Sequence, residues 1–409
     1  MTVIAIFLAL VFGYSLISER IERHRLTAPI VFTGAGILTG LMTGAINLSR
    51  FEGEIFLTVA EIGLVLLLFT DGSRVSFRFR GDLRSLPGRL LTVGMFLSIL
   101  LGLLAALLVF GDLTLWEAGI LAAILAPTDA GLGRAIVSDA RVPLPIRESL
   151  NIEAGLNDGL SVPFLLFFIA MASPAAGIGA GAGTGASLAE YFVQQFGVGL
   201  MIGLLVGGFG GRLYARAAER GTIGPDYRQL GFAALPMICV LACEVTGASM
   251  FIAAFVAGLA TRGSDRKPGL AAHSTAFIEN WGQSINLSVF YLFGLLVAGE
   301  WSQMTATAFA YAALSLTVVR MLPVAVALTG TGLDWRTVLF IGWFGPRGLA
   351  SIVLGLVYLQ NAAGQEQPTI RVAVMATVLS SILAHGMTAG PGVRRYAMTA
   401  TRHPAPSPR

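Results

Sequence analysis

The sequence is short of charge and of cysteine. Only 12% of its 409 residues are Asp, Glu, Lys or Arg, about half the share found in a typical soluble domain. The two cysteines, Cys239 and Cys243, lie one helical turn apart in an apolar segment, so we expect them to pack in a helix and not to form a disulfide framework. These shortages exclude a soluble enzyme, a disulfide-stabilised secreted domain and a nucleic-acid-binding protein.

Apolar segments dominate the rest of the chain. Hydrophobic residues make up 55% of the sequence and the mean hydropathy is +0.76. About twenty apolar residues in a helix cross the ~30 Å hydrocarbon core of a bilayer. The sequence therefore predicts an all-α integral membrane protein with about thirteen transmembrane segments, at 2–17, 28–46, 55–71, 88–111, 115–137, 146–172, 189–211, 229–246, 248–262, 277–298, 304–329, 335–360 and 370–390.

The basic residues predict how these segments are oriented. Nearly all of the 27 lysine and arginine residues fall in alternate loops, and only Arg50 and Arg371 fall in the opposite set. Loops rich in lysine and arginine stay on the cytoplasmic side. We therefore expect an outer N-terminus and an inner C-terminus, in a multi-pass protein of the cell (inner) membrane. No basic residue precedes the first apolar run, so we expect Met1 to begin the mature protein.

The pattern predicts one membrane domain, residues 1–390, and a short basic cytoplasmic tail, residues 391–409. A stretch of glycine and alanine at 173–188 separates six segments from seven and is a candidate repeat boundary. Two inverted bundles and one extra helix would suit a secondary transporter.

Asp129 stands near the middle of the fifth segment, two residues after Pro127. Proline has no backbone N–H and clashes with the preceding turn, so we expect the helix to unwind here. An unwound segment leaves backbone carbonyls and helix ends available to hold an ion within the membrane. Asp129 and its neighbour Thr128 are therefore candidate cation ligands.

Asp158 lies near the centre of the sixth segment and is the strongest candidate for binding protons and cations. Charge at the bilayer centre is costly, so an acidic residue there needs a partner or a function. Asn157 adds no second titratable group and shares a helix face with Glu153, four residues earlier. A helix–helix hydrogen bond that only stabilises packing is the alternative for both Asp158 and Asp129.

Arg347 and Arg320 place two further charges inside predicted segments. A guanidinium does not lose its proton to escape burial, so Arg347 needs a fixed partner. We expect that partner to be Glu153, in a structural ion pair between two helices. Pairing of Arg347 with Asp158 is the alternative, but it would neutralise the cation site. Arg320 has no predicted partner, and His385 is either a capping residue or a pH sensor.

Three motifs resemble the monovalent cation/proton antiporter superfamily, in its NhaP-type sodium/hydrogen exchanger branch. They are Pro127-Thr128-Asp129, the run ESLNIEAGLNDG at 148–159, and Gly345-Pro346-Arg347-Gly348. The resemblance covers the whole membrane region. It implies inverted repeats with unwound helices that cross, a homodimer, and no cofactor.

The same resemblance implies roles for individual residues. Thr128 and Asp129 would belong to the helix crossing, Asp158 would be the essential ion-binding carboxylate, and Asn157 would be its neighbour. Glu153 and Arg347 would match the interhelical ion pair of the family, and Asp71 is the candidate for an acidic residue on the third helix. An Asn-Asp pair usually accompanies electroneutral exchange in this branch.

These observations predict a transporter and not an enzyme. A proton and a dehydrated cation, Na⁺ or Li⁺, would compete at Asp158, with Asp129 and Thr128 completing an oxygen shell for Na⁺. Exchange of K⁺ for protons by the same fold is the first alternative. A gated cation channel is the second, since it would use the same acidic residues without obligatory exchange.

Overall fold

Every regular element of the described residues is helical. The computed structural model describes residues 2–23, 26–43, 50–74, 85–137, 139–172, 193–262, 270–361 and 367–400. The all-α prediction is confirmed for these ranges. The helices are α1 Thr2–Arg23, α2 Ala28–Thr43, α3 Arg50–Arg74, α4 Leu86–Val109, α5 Leu115–Ile124, α6 Ala130–Val137, α7 Leu144–Ala172, α8 Val193–Glu219, α9 Pro225–Thr246, α10 Met250–Arg262, α11 Leu270–Gly299, α12 Ala306–Ala327, α13 Trp335–Trp343, α14 Leu349–Asn361 and α15 Pro368–Ala400.

Each predicted apolar segment contains a helix or a pair of helices. Within the described ranges, eight helices are long and apolar enough to cross a membrane, and four shorter apolar ones accompany them. The number of crossings and their orientation stay predictions. The glycine-rich stretch 173–188 lies outside the described residues. At the other end, α15 continues beyond residue 390, through Arg394 and Arg395, to Ala400.

Two predicted segments are broken helices. The segment 115–137 separates into α5 and α6, with residues 125–129 between them, and the segment 335–360 separates into α13 and α14, with residues 344–348 between them. Pro127 and Pro346 lie inside these gaps, where each removes one backbone N–H donor and disfavours the preceding helical turn. The unwinding predicted at Pro127 is confirmed. Pro346 gives the same signal, although the sequence analysis placed Arg347 inside a continuous segment.

The chain forms two compact units. The first comprises residues Met1–Phe56, Gly81–Asn157 and Leu287–Arg409, and the second comprises Leu57–Arg80 and Asp158–Asn286. Both broken helices belong to the first unit. Its apolar core joins α6, α7, α12, α13 and α15 through buried residues that include Ile136, Leu150, Val324, Ile341 and Val393. This packing holds the two non-helical gaps in place.

Small residues allow close helix packing in the second unit. A Cβ atom at Gly207 of α8 would overlap the backbone of Ala257 on α10. Membrane helices lack a hydrophobic drive towards one another, so close backbone approach through small residues supplies the packing energy. The glycine at 207 is therefore required by the contact between α8 and α10.

Candidate functional site

The two non-helical gaps cross each other. The backbone N–H of Asp129 donates to the carbonyl of Pro346 at 2.7 Å. This bond joins residues 125–129 to residues 344–348 and brings the first turn of α6 next to the first turn of α14. Both gaps are buried, so the backbone groups that the missing turns release have to find partners inside the protein.

The carboxylate of Asp129 accepts hydrogen bonds from backbone N–H groups at the N-terminal ends of α6 and α14. The residue is 6% exposed. Oδ1 accepts from the backbone N–H groups of Gly131 at 2.6 Å and Leu132 at 3.0 Å, and Oδ2 accepts from that of Leu349 at 2.6 Å. A helix start carries about half a positive charge. The single carboxylate therefore caps α6 in its own chain segment and α14 across the crossing.

Arg347 donates hydrogen bonds to carbonyl groups at the C-terminal end of α5. The residue is 0% exposed, and its Nη1 donates to the carbonyls of Ala126 and Pro127, which follow the end of α5. Its backbone N–H donates to Ser381 Oγ on α15 at 2.6 Å. The crossing thus places a buried anion at two helix starts and a buried cation at a helix end, and each charge is complementary to the local helix dipole.

The predicted ion pair between Glu153 and Arg347 is wrong, because Glu153 pairs with Arg320. Glu153 Oε1 accepts from Arg320 Nη1 at 2.5 Å, and both side chains are 3% exposed. The prediction gave the buried guanidinium of Arg347 a carboxylate as its fixed partner. The unwound segment supplies carbonyls instead, which leaves Glu153 for Arg320. The position of Arg320 inside an apolar segment was the feature of the sequence that could have indicated this pairing.

A double-mutant cycle measures this assignment. Glu153→Gln and Arg320→Met are each expected to lower the free energy of unfolding by about 3–5 kcal/mol, because each leaves a buried charge without its partner. The variant with both changes should lose clearly less than the sum of the two. Thermal unfolding of the purified protein gives the values. The control cycle pairs Glu153→Gln with Arg347→Met, and a larger coupling there than with Arg320 would restore the sequence-based assignment.

Asn157 and Thr128 connect α7 to the crossing. Asn157 Nδ2 donates to Thr128 Oγ1 at 2.7 Å, and the two residues are 2% and 3% exposed. Glu153 and Asn157 stand four residues apart on α7, so one helix face carries both polar contacts. The shared face that the sequence predicted is present, and it faces residues of the first unit in both cases. A small cavity of about 10 Å³, roughly one water molecule, lies beside Thr128, Asp129 and Pro346.

Asp158 and Asp71 belong to the second unit. Asp158 follows Asn157 on α7, is 4% exposed, and its backbone carbonyl accepts from Ser161 Oγ at 2.9 Å. Asp71, on α3, is partly buried. The residue after each aspartate is a glycine packed against Phe255 of α10. The structure thus places both aspartates in helices that contact the same residue, while their role in ion binding stays a prediction.

His385 caps the end of α13. It is buried, its Nε2 lies 2.8 Å from the carbonyl of Trp343, and its Nδ1 lies 3.0 Å from the carbonyl of Ser381. In the neutral tautomer that donates from Nε2 to Trp343, the last residue of α13, Nδ1 accepts from the hydroxyl of Ser381, 3.1 Å away. The capping alternative that the sequence left open therefore describes the contacts. Sequence analysis missed Ser381, because no local pattern marks a serine that binds a distant backbone.

Gly348 provides a test of the crossing. A Cβ atom at this position would overlap the carboxylate of Asp129, whereas no described atom lies within 4 Å of a Cβ at Gly133 of α6. We expect Gly348→Ala to displace the carboxylate from Leu349 and to cost about 1–3 kcal/mol of stability. Gly133→Ala should be neutral or stabilising, because alanine favours the helix. Equal melting temperatures for the two variants would show that Asp129 does not need its contact with α14.

Comparison with known proteins reveals related sequences over most of the chain. The family model for the transmembrane region of sodium/hydrogen exchangers matches residues 3–395. A Na⁺/H⁺ antiporter of Saccharomyces cerevisiae is 28% identical over 349 residues, which cover 80% of this chain and 34% of the yeast protein. A K⁺/H⁺ antiporter, NhaP, of Alkalimonas amylolytica is 26% identical over 373 residues, which cover 88% of this chain and 61% of that protein. The chain thus spans less than two thirds of either relative's length.

Solved structures share the fold. The sodium proton antiporter MjNhaP1 from Methanocaldococcus jannaschii, solved at pH 8, superposes with a TM-score of 0.75 at 20% identity, over 94% of this chain and 99% of that one. An electron-microscopy structure of MjNhaP1 gives 0.74 at 18% identity, over 100% and 99% of the two chains. The structural match and the family match therefore cover the same helical region of the chain.

Proposed function

The chain belongs to the sodium/hydrogen exchanger family, and on this premise we propose that it is a secondary transporter that exchanges a monovalent cation for protons across a membrane. The observation that carries the proposal is the crossing of two interrupted helices, with Asp129 and Arg347 at its helix ends. Interrupted helices whose ends meet in the bundle are how secondary transporters form ion sites without a cofactor. A packed bundle with no transport function would not need this arrangement of buried charge.

Asp158 is the proposed exchange group. A buried charge is costly among apolar helices, so we expect the carboxylate to hold a proton whenever it holds no metal cation. The cation and the proton then exclude each other, and each conformational cycle carries one or the other. Exchange driven by an ion gradient follows without ATP.

The residue directly before the exchange group is held by a contact with the crossing. Thr128 binds the amide of Asn157, the residue before Asp158, and so fixes this turn of α7. Both oxygens of Asp129 already accept backbone N–H groups. We therefore propose that Asp129 and Thr128 act first as positioning residues. Direct binding of Na⁺ by Asp158, Asp129 and Thr128, and the contribution of Asp71, stay predictions.

Sodium is the proposed cation, with lithium as its nearest analogue. The name of the yeast relative specifies Na⁺ and that of the Alkalimonas relative specifies K⁺, so K⁺/H⁺ exchange is the second candidate. Asn157 brings no second charge beside Asp158, which favours electroneutral exchange of one proton for one cation. We further propose a homodimer in the cell membrane.

Transport by the purified protein in liposomes tests the proposal. Liposomes that contain a pH-sensitive dye receive an outward cation gradient of Na⁺, Li⁺ or K⁺, and the internal pH is followed. We expect internal acidification with the preferred cation that persists when the membrane potential is clamped at zero. A channel would instead pass cations without moving protons, and that result would contradict the proposal.

A further inference from the structure

A groove in the first unit takes no part in the proposed exchange. It has a volume of about 660 Å³, which lies within the range of small-molecule sites. It runs between α13 and the last turns of α15. Its walls are mainly aromatic and aliphatic side chains, among them Trp335, Leu339, Phe340, Trp343 and Phe344.

Contacts between side chains hold the walls of this groove in a fixed shape. The rings of Phe340 and Tyr396 stack with centroids 4.1 Å apart. The Trp343 indole N–H donates to Thr388 Oγ1 at 3.0 Å, and the hydroxyls of Thr337 and Tyr396 are 3.0 Å apart. Both helices are therefore joined through several side chains, and the groove is already formed before anything binds.

Positive charge lies at the groove. Arg336 and Arg395 are the charged residues among the described residues that line it, and both are exposed. The Arg336 guanidinium stands 5.5 Å from the ring centroid of Trp335. Trp335 is 63% exposed and Leu339 is 45% exposed. A tryptophan beside arginines, with apolar side chains below them, is typical of the boundary between lipid headgroups and acyl chains.

We propose that this groove binds one anionic phospholipid. The phosphate would lie between Arg336 and Arg395, and one acyl chain would follow Leu339 and Trp343. Basic pockets between helices on the cytoplasmic side bind anionic headgroups, and the predicted orientation places this end of α13 and α15 on that side. The mixed lining favours a lipid over a free anion, because the apolar walls give a free anion no contact.

Binding at this groove has a consequence for the crossing. Phe344 lines the groove and is also the first residue of the gap 344–348, in which Pro346 and Arg347 form hydrogen bonds with residues of the other gap, 125–129. An acyl chain packed against Phe344 stabilises the gap from the membrane side. The bound lipid is therefore expected to raise the melting temperature of the protein as well as to remain attached during purification.

Lipid binding by charge-neutralised variants tests the site. Delipidated protein is titrated with phosphatidylglycerol in detergent, and bound lipid is counted by native mass spectrometry. We expect one tight site in the wild type and about 30-fold weaker binding in the Arg336→Gln/Arg395→Gln variant, since two basic contacts are lost. Arg394→Gln is the matched control, because Arg394 is an exposed neighbour that does not line the groove. It should bind as the wild type does.

Two further experiments distinguish a specific phospholipid site from non-specific lipid binding and from a site for free phosphate. Phosphatidylcholine should bind at least about 30-fold more weakly than phosphatidylglycerol, and inorganic phosphate should not compete. A phosphatidylglycerol with a photoreactive acyl chain should label peptides that contain residues 335–344 or 388–396. Equal affinity for phosphatidylcholine, competition by phosphate, unchanged binding in the double variant, or labelling confined to other helices would each overturn the proposal.

Discussion

Replacing Asp158 with Asn is expected to reduce cation/proton exchange to the level of liposomes without protein. The amide has nearly the shape of the carboxylate but does not release a proton or attract a cation, so both halves of the exchange are lost together. Because the amide introduces no charge into a site that is 4% exposed, the variant should fold and remain at least as stable as the wild type. Dye-reported proton flux in liposomes and the melting temperature measure the two quantities.

Asp334→Asn is the matched control for this variant. Asp334 is exposed, directly before α13, and its side chain makes no capping hydrogen bond to that helix. The same chemical change there should leave exchange unaltered. If the Asp158→Asn protein has the melting temperature of the wild type and also exchanges ions at the wild-type rate, the assignment of Asp158 as the exchange group is contradicted.

Replacing Arg347 with Met is expected to cause a large loss of stability together with a loss of transport. The guanidinium is 0% exposed and binds two carbonyls that no helix turn satisfies. Each buried carbonyl left without a donor costs about 1–3 kcal/mol, so the variant should lose about 4 kcal/mol and its transport activity. Arg347→Lys keeps the charge and reaches one carbonyl, so it should lose less.

Arg89→Met gives the same chemical change at a less buried site. Arg89 Nη1 also donates to two carbonyls near the end of a helix, those of Ala327 at 3.3 Å and Thr329 at 2.7 Å. Water can replace the donor there, and the loss should stay at about 1 kcal/mol. Similar losses at positions 347 and 89, measured by thermal unfolding, would show that the crossing does not depend on the guanidinium of Arg347.

The sequence predicts the helices of this protein well because each one is defined by local composition. The apolar runs locate the helices within the described residues, and Pro127 reveals the first broken helix because the missing N–H of proline acts on its own turn. Thr128, Asp129, Glu153, Asn157 and Arg347 are all buried polar residues around the crossing. The cost of a charge inside an apolar bundle identifies Asp129, Glu153 and Arg347 from the sequence, and Thr128 and Asn157 follow as neighbours of Asp129 and Asp158.

The sequence does not predict which of these groups contact each other. Glu153 has two buried arginines to choose from, and the choice of Arg320 depends on carbonyls that become available only when residues 125–129 unwind. In the same way, Asp129 looks like an ion ligand in the sequence, while three backbone N–H groups, one of them from Leu349, use its oxygens. Partners more than 150 residues away are set by helix packing, which local patterns do not encode.

Proton release on cation binding tests the central claim most directly. Purified protein in weakly buffered solution near pH 8 receives saturating Na⁺, and then K⁺ in a separate experiment, while a pH dye counts the protons that appear. If both ions compete for one carboxylate, the wild type releases up to one proton per bound cation, apparent cation affinity falls as the pH is lowered, and the Asp158→Asn protein releases none. Cation binding by the wild type with no pH dependence and no proton release would contradict the account.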